Sequence, residues 1–132
     1  MKINRLFLLS LFIIILNITS CSKFSLFSET ETKYHYEILK EINDTMTNNP
    51  EAAMELLNTI DSSTIHNRFS KQEYHEYQIL LSEASYKNYY NQPNINEIID
   101  ACDYFDSLTA LHPNNFEVLF LNSRAHYYRA VG

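Results

Sequence analysis

Apolar residues along this chain recur at steps of three and four, not two, and that spacing marks amphipathic helices. His35, Ile38, Leu39, Ile42 and Met46 fall on one helical face. Ala53, Met54, Leu57 and Ile60 form a second stripe, and Tyr74, Tyr77, Leu80, Leu81 and Ala84 a third. A fourth runs through Ile95, Ile98, Ile99, Cys102, Phe105 and Leu108. The one glycine, at position 132, leaves few places for tight hairpin turns. The pattern predicts an all-α chain.

Start signals divide these stripes. "SETE" at Ser28 to Glu31, "SKQE" at Ser70 to Glu73, "NINE" at Asn94 to Glu97 and "NNFE" at Asn114 to Glu117 each pair a capping side chain with a glutamate three residues on. "NPE" supplies a fifth start, with Asn49 as cap and Pro50 at the first helical position. Five helices follow, over 29–46, 50–60, 71–90, 95–111 and 115–130, with "DSSTIHNRFS" and "NQPNIN" as connecting loops. The last of them carries Phe116, Val118, Leu119, Phe120, Leu121, Ala125, Tyr127 and Tyr128 nearly all around its circumference. Such a helix expects neighbours on more than one side, from further repeats or from a partner chain.

Ahead of the first stripe the pattern changes. Lys2 and Arg5 precede an apolar run from Leu6 to Leu16, broken only by Ser10, and small or polar residues follow up to Cys21. This is the anatomy of an export signal. Eleven helical residues cover about 16 Å at 1.5 Å each, half of a bilayer core of about 30 Å, so a cleaved segment fits better than a permanent span.

Ile18, Thr19, Ser20 and Cys21 resemble the lipobox of bacterial lipoproteins: an aliphatic residue, two small residues, and the cysteine that takes the lipid. The resemblance implies cleavage before Cys21 and acylation there. Residues 1–20 would then be the signal peptide, 21–28 the lipidated end and tether, and 29–132 the helical domain. Two or more acyl chains anchor stably where one is marginal. No cofactor beyond that covalent lipid is expected. The implied location is extracytoplasmic, on the cell membrane or outer membrane.

Charge narrows the partners. Cleavage would leave sixteen acidic residues against eight lysines and arginines, a formal charge of −8. An acidic chain with no basic run disfavours nucleic acid, and it assigns membrane attachment to lipid, not to a polybasic patch. Cys102 is the one other cysteine, so lipidation of Cys21 leaves no intrachain disulfide. With Asp100, Asp103 and Asp106 nearby, Cys102 reads as a small buried hydrophobe, not a reactive thiol.

Helix pairs in series raise the question of repeats. Ala53, Leu57 and Ile60 are matched in step by Ala101, Phe105 and Leu108, and Pro113 follows eight residues after Phe105. This resembles the second half of a tetratricopeptide repeat, as do "LHPNN", "PEAAMELLNTID" and "LLSEASYKNYYN". The alanines lie 48 residues apart where that family's period is about 34. Leu119 and Ser123 take two family positions of the last helix, but Asn122 stands where a leucine is expected. The likeness extends to tetratricopeptide lipoproteins of Gram-negative bacteria and to the extracytoplasmic sensor halves of some membrane-bound regulators.

Candidate chemistry is sparse. His75 and Glu76 begin a zinc-protease pattern, but Ile79 stands where the second histidine belongs, and His35, His66, His112 and His126 make no ligand pair. No metal site is expected. Asp100, Asp103 and Asp106 could bring carboxylates together, yet a row of aspartates opposite an apolar stripe reads as a solvated face. No phosphate-cradling glycine loop or nucleophile motif exists, and no catalytic residue is assigned. The protein is not expected to be an enzyme.

Ten tyrosines are the remaining excess. They can pack between helices with hydroxyls outward or line a recognition surface. The candidate surface is Tyr86, Tyr89, Tyr90, Phe120, Tyr127 and Tyr128. The leading expectation is a membrane-anchored lipoprotein whose tetratricopeptide-like scaffold binds a protein or peptide. The alternatives are the sensor part of a longer regulator and a glycan-binding lipoprotein.

Overall fold

The computed structural model describes residues 34–90 and 95–132; the signal segment, Cys21, Ser28 and the Asn94 cap lie outside them. All regular structure among the described residues is helical. We label the helices α1 (34–46), α2 (Pro50–Thr59), α3 (Ser62–Asn67), α4 (Lys71–Lys87), α5 (Ile95–Leu111) and α6 (Phe116–Val131).

The caps account for most of the boundaries. Asn49 accepts the Ala52 N–H at 3.1 Å ahead of Pro50. Ser70 and Glu73 form a reciprocal capping box at 3.2 and 2.7 Å, satisfying donors that would otherwise be stranded. At α6 the cap is Asn115, not Asn114: its side chain accepts from Glu117 and Val118, so the helix begins one residue later than expected.

Two further expectations are corrected. The segment read as a loop, "DSSTIHNRFS", contains α3, capped by Asp61 through the Ser63 N–H at 2.8 Å. Ile65 and Phe69, four residues apart, turn this segment toward the core, where Phe69 meets His35 and Tyr77 edge-on. On α5, Ile95 and Ile99 belong to the exposed side, while Ile98, Ala101, Cys102 and Phe105 are buried.

The core has two parts, and α4 stands between them. Leu39, Ile42 and Met46 of α1, Ala53 and Leu57 of α2, and Tyr77, Leu80 and Ala84 of α4 make the first. Ile79 of α4 joins Ile98, Ala101, Cys102 and Phe105 of α5 and Val118, Leu121, Ala125 and Tyr128 of α6 in the second. With apolar neighbours on two sides, α4 is buried around most of its circumference, Ser82 and Ser85 included. Fully buried alanines, Ala53 and Ala84 in one part and Ala101 and Ala125 in the other, let the helix backbones approach closely.

Helix α4 ends at Lys87, three residues before the end expected at 90, through a specific device. Tyr90 N–H bonds to the Ser85 carbonyl at 2.9 Å and Tyr89 N–H to Tyr86 at 3.3 Å, the two bonds of a Schellman ending. That ending needs a left-handed residue, normally glycine, and here Tyr89 occupies it with φ of 59°. Its side chain is 96% exposed and makes no packing contribution to the fold. Tyr89→Gly is therefore expected to raise stability by about 0.5–1 kcal/mol, measured by urea unfolding; an unchanged or lower midpoint would contradict the strain.

Asn88 and Lys87 tie this ending to the first helix pair. The Asn88 amide donates to the Pro50 and Ala84 carbonyls at 2.8 and 2.9 Å. The Lys87 ammonium donates to the Met46 carbonyl at 3.3 Å, at the last turn of α1, where a cation opposes the negative helix end.

Candidate functional site

Helices α1, α4 and α6 share a face. On α6 the spacing of Glu117, Phe120, Arg124, Tyr127 and Val131 sets these residues in a row; on α4 Glu76, Glu83 and Lys87 do the same. At one end, Tyr36, Asn43, Glu76, Glu117, Phe120 and Arg124 line a cavity of about 180 Å³. At the other, Tyr86, Lys87, Tyr89, Tyr90 and Val131 line a cleft of about 530 Å³.

Between the two lies an ion network. Arg124 pairs with Glu83 and donates to the Asn43 side-chain oxygen at 2.8 Å. Lys87 reaches Glu83 from the other side at 2.7 Å. Burial pushes the Glu83 carboxyl up, but Lys87 and Arg124 together outweigh burial and hold it below its ordinary value. The Arg124 guanidinium also lies 5.2 Å from the centre of the Phe120 ring. Arg124 thus links α1, α4 and α6.

The expected surface residues divide. Tyr89, Tyr90, Phe120, Tyr127 and Tyr86 are exposed, but Tyr128 is not: it is 6% exposed and belongs to the α5–α6 core. Its hydroxyl is pushed well above the usual phenol range by burial, with the nearby Glu83 carboxylate adding to the shift. It therefore acts as a core residue, and its removal from the surface set is a correction. Tyr86 meets Tyr127 and Tyr128 edge-on at 6.2 and 6.1 Å, so the cleft has an aromatic wall continuous with the core. Cys21 lies outside the described residues.

The network residues Glu83, Arg124 and Asn43 were not singled out by the sequence pattern. The signal was present: Arg124 sits between Leu121 and Ala125, and Glu83 next to Ala84, each a charge set into an apolar stripe. A charge in such a place needs a partner across a helix interface.

A third cavity, about 560 Å³, opens on the α4–α5 side, lined by Lys71, His75, Asp100, Asp103 and Tyr104 among others. His75 is 5% exposed and stacks on Tyr104 at 4.6 Å. Burial, with Lys71 adding to it, lowers the His75 pKa, so the ring is neutral at pH 7. Its Nδ1 has no hydrogen-bond partner among the described residues. Asp106 binds Asn122 and His126 at 2.7 and 3.0 Å on the exposed side. Among the described residues, no three histidines, cysteines or carboxylates converge to hold a metal ion. No helix among them is long and apolar enough to cross a membrane. Cys102 is fully buried, and burial raises its thiol pKa.

Neither a protein-family model, nor a curated protein, nor a solved structure matches the chain. The functional reading rests on the geometry of the groove and on the sequence motifs.

Proposed function

We propose that this chain is a bacterial lipoprotein, lipidated at Cys21 and anchored extracytoplasmically on the cell membrane or outer membrane, whose helical unit is a tetratricopeptide-like scaffold for protein interaction. It performs no chemistry; it offers the groove of α1, α4 and α6 to a segment of a partner protein. The observation that carries this reading is the groove itself. One face joins three non-consecutive helices, with Phe120 and the exposed Tyr36, Tyr86, Tyr89, Tyr90 and Tyr127 along it, and exposed aromatic rings beside fixed charges are typical interface anchors. Supporting the repeat reading, Ala53 and Ala101 are fully buried, as a close-approach position requires, and Phe105 fills the space beyond Ala101. In this scheme α1 with α2 and α4 with α5 are successive pairs, α6 opens a third, and α3 occupies part of the extra length between the first two.

The test uses the full chain in its native membrane, with a photoreactive phenylalanine analogue at Phe120 or, as control, at the exposed Ile99 of α5. Phe120 is expected to yield a discrete protein adduct, and Tyr127→Ala to reduce its yield about tenfold, as loss of an anchor does. Equal labelling from Ile99, or no adduct from Phe120, would reject the groove. The mass of the native chain tests the anchor: residues 21–132 plus acyl chains is expected, and an unlipidated chain retaining residues 1–20 would reject it.

A further inference from the structure

The cations and anions of the groove are unequally committed. Arg124 is engaged by Glu83, Asn43 and the Phe120 ring, and Lys87 by Glu83 and the Met46 carbonyl. On α1, Lys40 pairs with Asp44 at 3.4 Å. Glu76, half-buried on α4, has neither a hydrogen bond nor an ion pair among the described residues, and it shares its cavity with a second unpaired carboxylate, Glu117 of α6. We propose that the Glu76–Glu117 end of the groove receives a lysine or arginine side chain of the partner segment, with a neighbouring apolar residue of that segment against Phe120. This rests on the groove being the docking face.

The physical argument is one of charge complementarity. A carboxylate withdrawn from water without a partner is destabilised in its charged form, and a second carboxylate beside it adds to the cost. Among the described residues, the cations that line the cavity are already engaged, Lys40 by Asp44 and Arg124 by Glu83 and Asn43, and Arg124 offsets the cost at Glu76 only in part. A guest guanidinium or ammonium can lie between Glu76 and Glu117 and satisfy both. At about 180 Å³ the cavity is below the roughly 300–1,000 Å³ usual for small-molecule sites. It suits a single side chain. Phe120, 56% exposed at its rim, offers apolar area to the residue beside that side chain.

The electrostatics of Glu76 agree with this. Its carboxyl is raised to about 7, chiefly by burial, with Glu117 from α6 and Glu73 from its own helix adding to it and Arg124 opposing. Lys40 and Asp44 of α1 line the same cavity and offset one another. A bound cation favours the ionised form, so binding must displace a proton near neutrality and strengthen as pH rises from 6 to 8.

The experiment titrates the full chain, in detergent micelles with ¹³C-labelled glutamate, with the tripeptide amides acetyl-Leu-Arg-Leu and acetyl-Leu-citrulline-Leu. Citrulline keeps the shape of arginine and removes its charge. The arginine peptide is expected to bind at least tenfold tighter, to lower the Glu76 carboxyl pKa by at least one unit, and to gain affinity several-fold from pH 6 to 8. Glu76→Gln with Glu117→Gln should erase the difference between the peptides; if that pair disturbs folding, the exposed Glu117→Gln alone should reduce it. Equal binding of both peptides would overturn the cation subsite and leave the groove reading standing. No perturbation by either would overturn it too, and the photoadduct from Phe120 would then decide the groove independently. Glu76 shifts that depend on protein concentration without peptide would assign the subsite to a second copy and overturn the partner segment.

Discussion

Phe105→Ala is expected to lower the stability of the helical unit by about 3–5 kcal/mol, the usual cost of deleting a buried phenylalanine. Phe105 is fully buried, and it lies where α5 faces both α4 and α6, among Ile79, Ala101, Cys102, Val118 and Leu121. Its neighbours are small or are fixed on separate helices, so the space it leaves cannot close without moving a helix. The loss is a large share of the roughly 5–15 kcal/mol by which a single domain is stable. Urea unfolding followed by helical circular dichroism measures it, with Ile99→Ala on the exposed side of α5 as control, expected within about 0.5 kcal/mol of wild type. A cost under about 1.5 kcal/mol for Phe105→Ala would mean that the α5–α6 interface tolerates repacking and does not fix the position of α6.

Periodicity located the buried stripes of α1 and α2 because each faces a single core, and there a spacing of three and four is unambiguous; on α4, which stands between two, it found Tyr77, Leu80 and Ala84 on one side and missed Ile79 on the other. It misread Ile95 and Ile99, which continue the α5 stripe in sequence but curve past its contact with α4 and α6. It missed α3 because serine and threonine read as loop residues, and only Asp61 ahead of them and Ile65 after the first turn disclose a short capped helix. The groove was half legible. Exposed tyrosines could be suspected from composition, but Tyr128 could be separated from Tyr127 only by knowing which way α6 faces. Arg124 and Glu83 stand forty-one residues apart, and a pair across that distance has no local pattern to announce it. Glu76 is the counterpart: its meaning is a missing partner, which no spacing in a sequence can express.

Glu83→Ala is expected to cost about 3–5 kcal/mol, because it strands a charge that Glu83 now neutralises. The Glu83 and Arg124 side chains are only 10% and 12% exposed, and Arg124 would keep Asn43 but lose its carboxylate. Lys87, about one third exposed, can turn to water, so most of the penalty falls on Arg124. Replacing both members, Glu83→Leu with Arg124→Met, should recover most of the loss, since an apolar pair of similar volume needs no partner. The pH dependence follows from the direction of the shift. The folded-state pKa of Glu83 is depressed, so its contribution is present above the ordinary carboxylate value and is lost as pH falls through the lower folded one. The gap between wild type and Glu83→Ala should therefore be widest at neutral pH and close in acid, read from unfolding midpoints at pH 7 and pH 3. Seven residues earlier on the same helix, Glu76 has the opposite shift, raised to about 7, so ionising it weakens the fold as pH rises toward neutrality. One carboxylate on this face strengthens the scaffold when charged and the other weakens it. A gap that fails to close in acid would show that Glu83 acts through packing, and the network would then have no role in holding α1, α4 and α6 as one face.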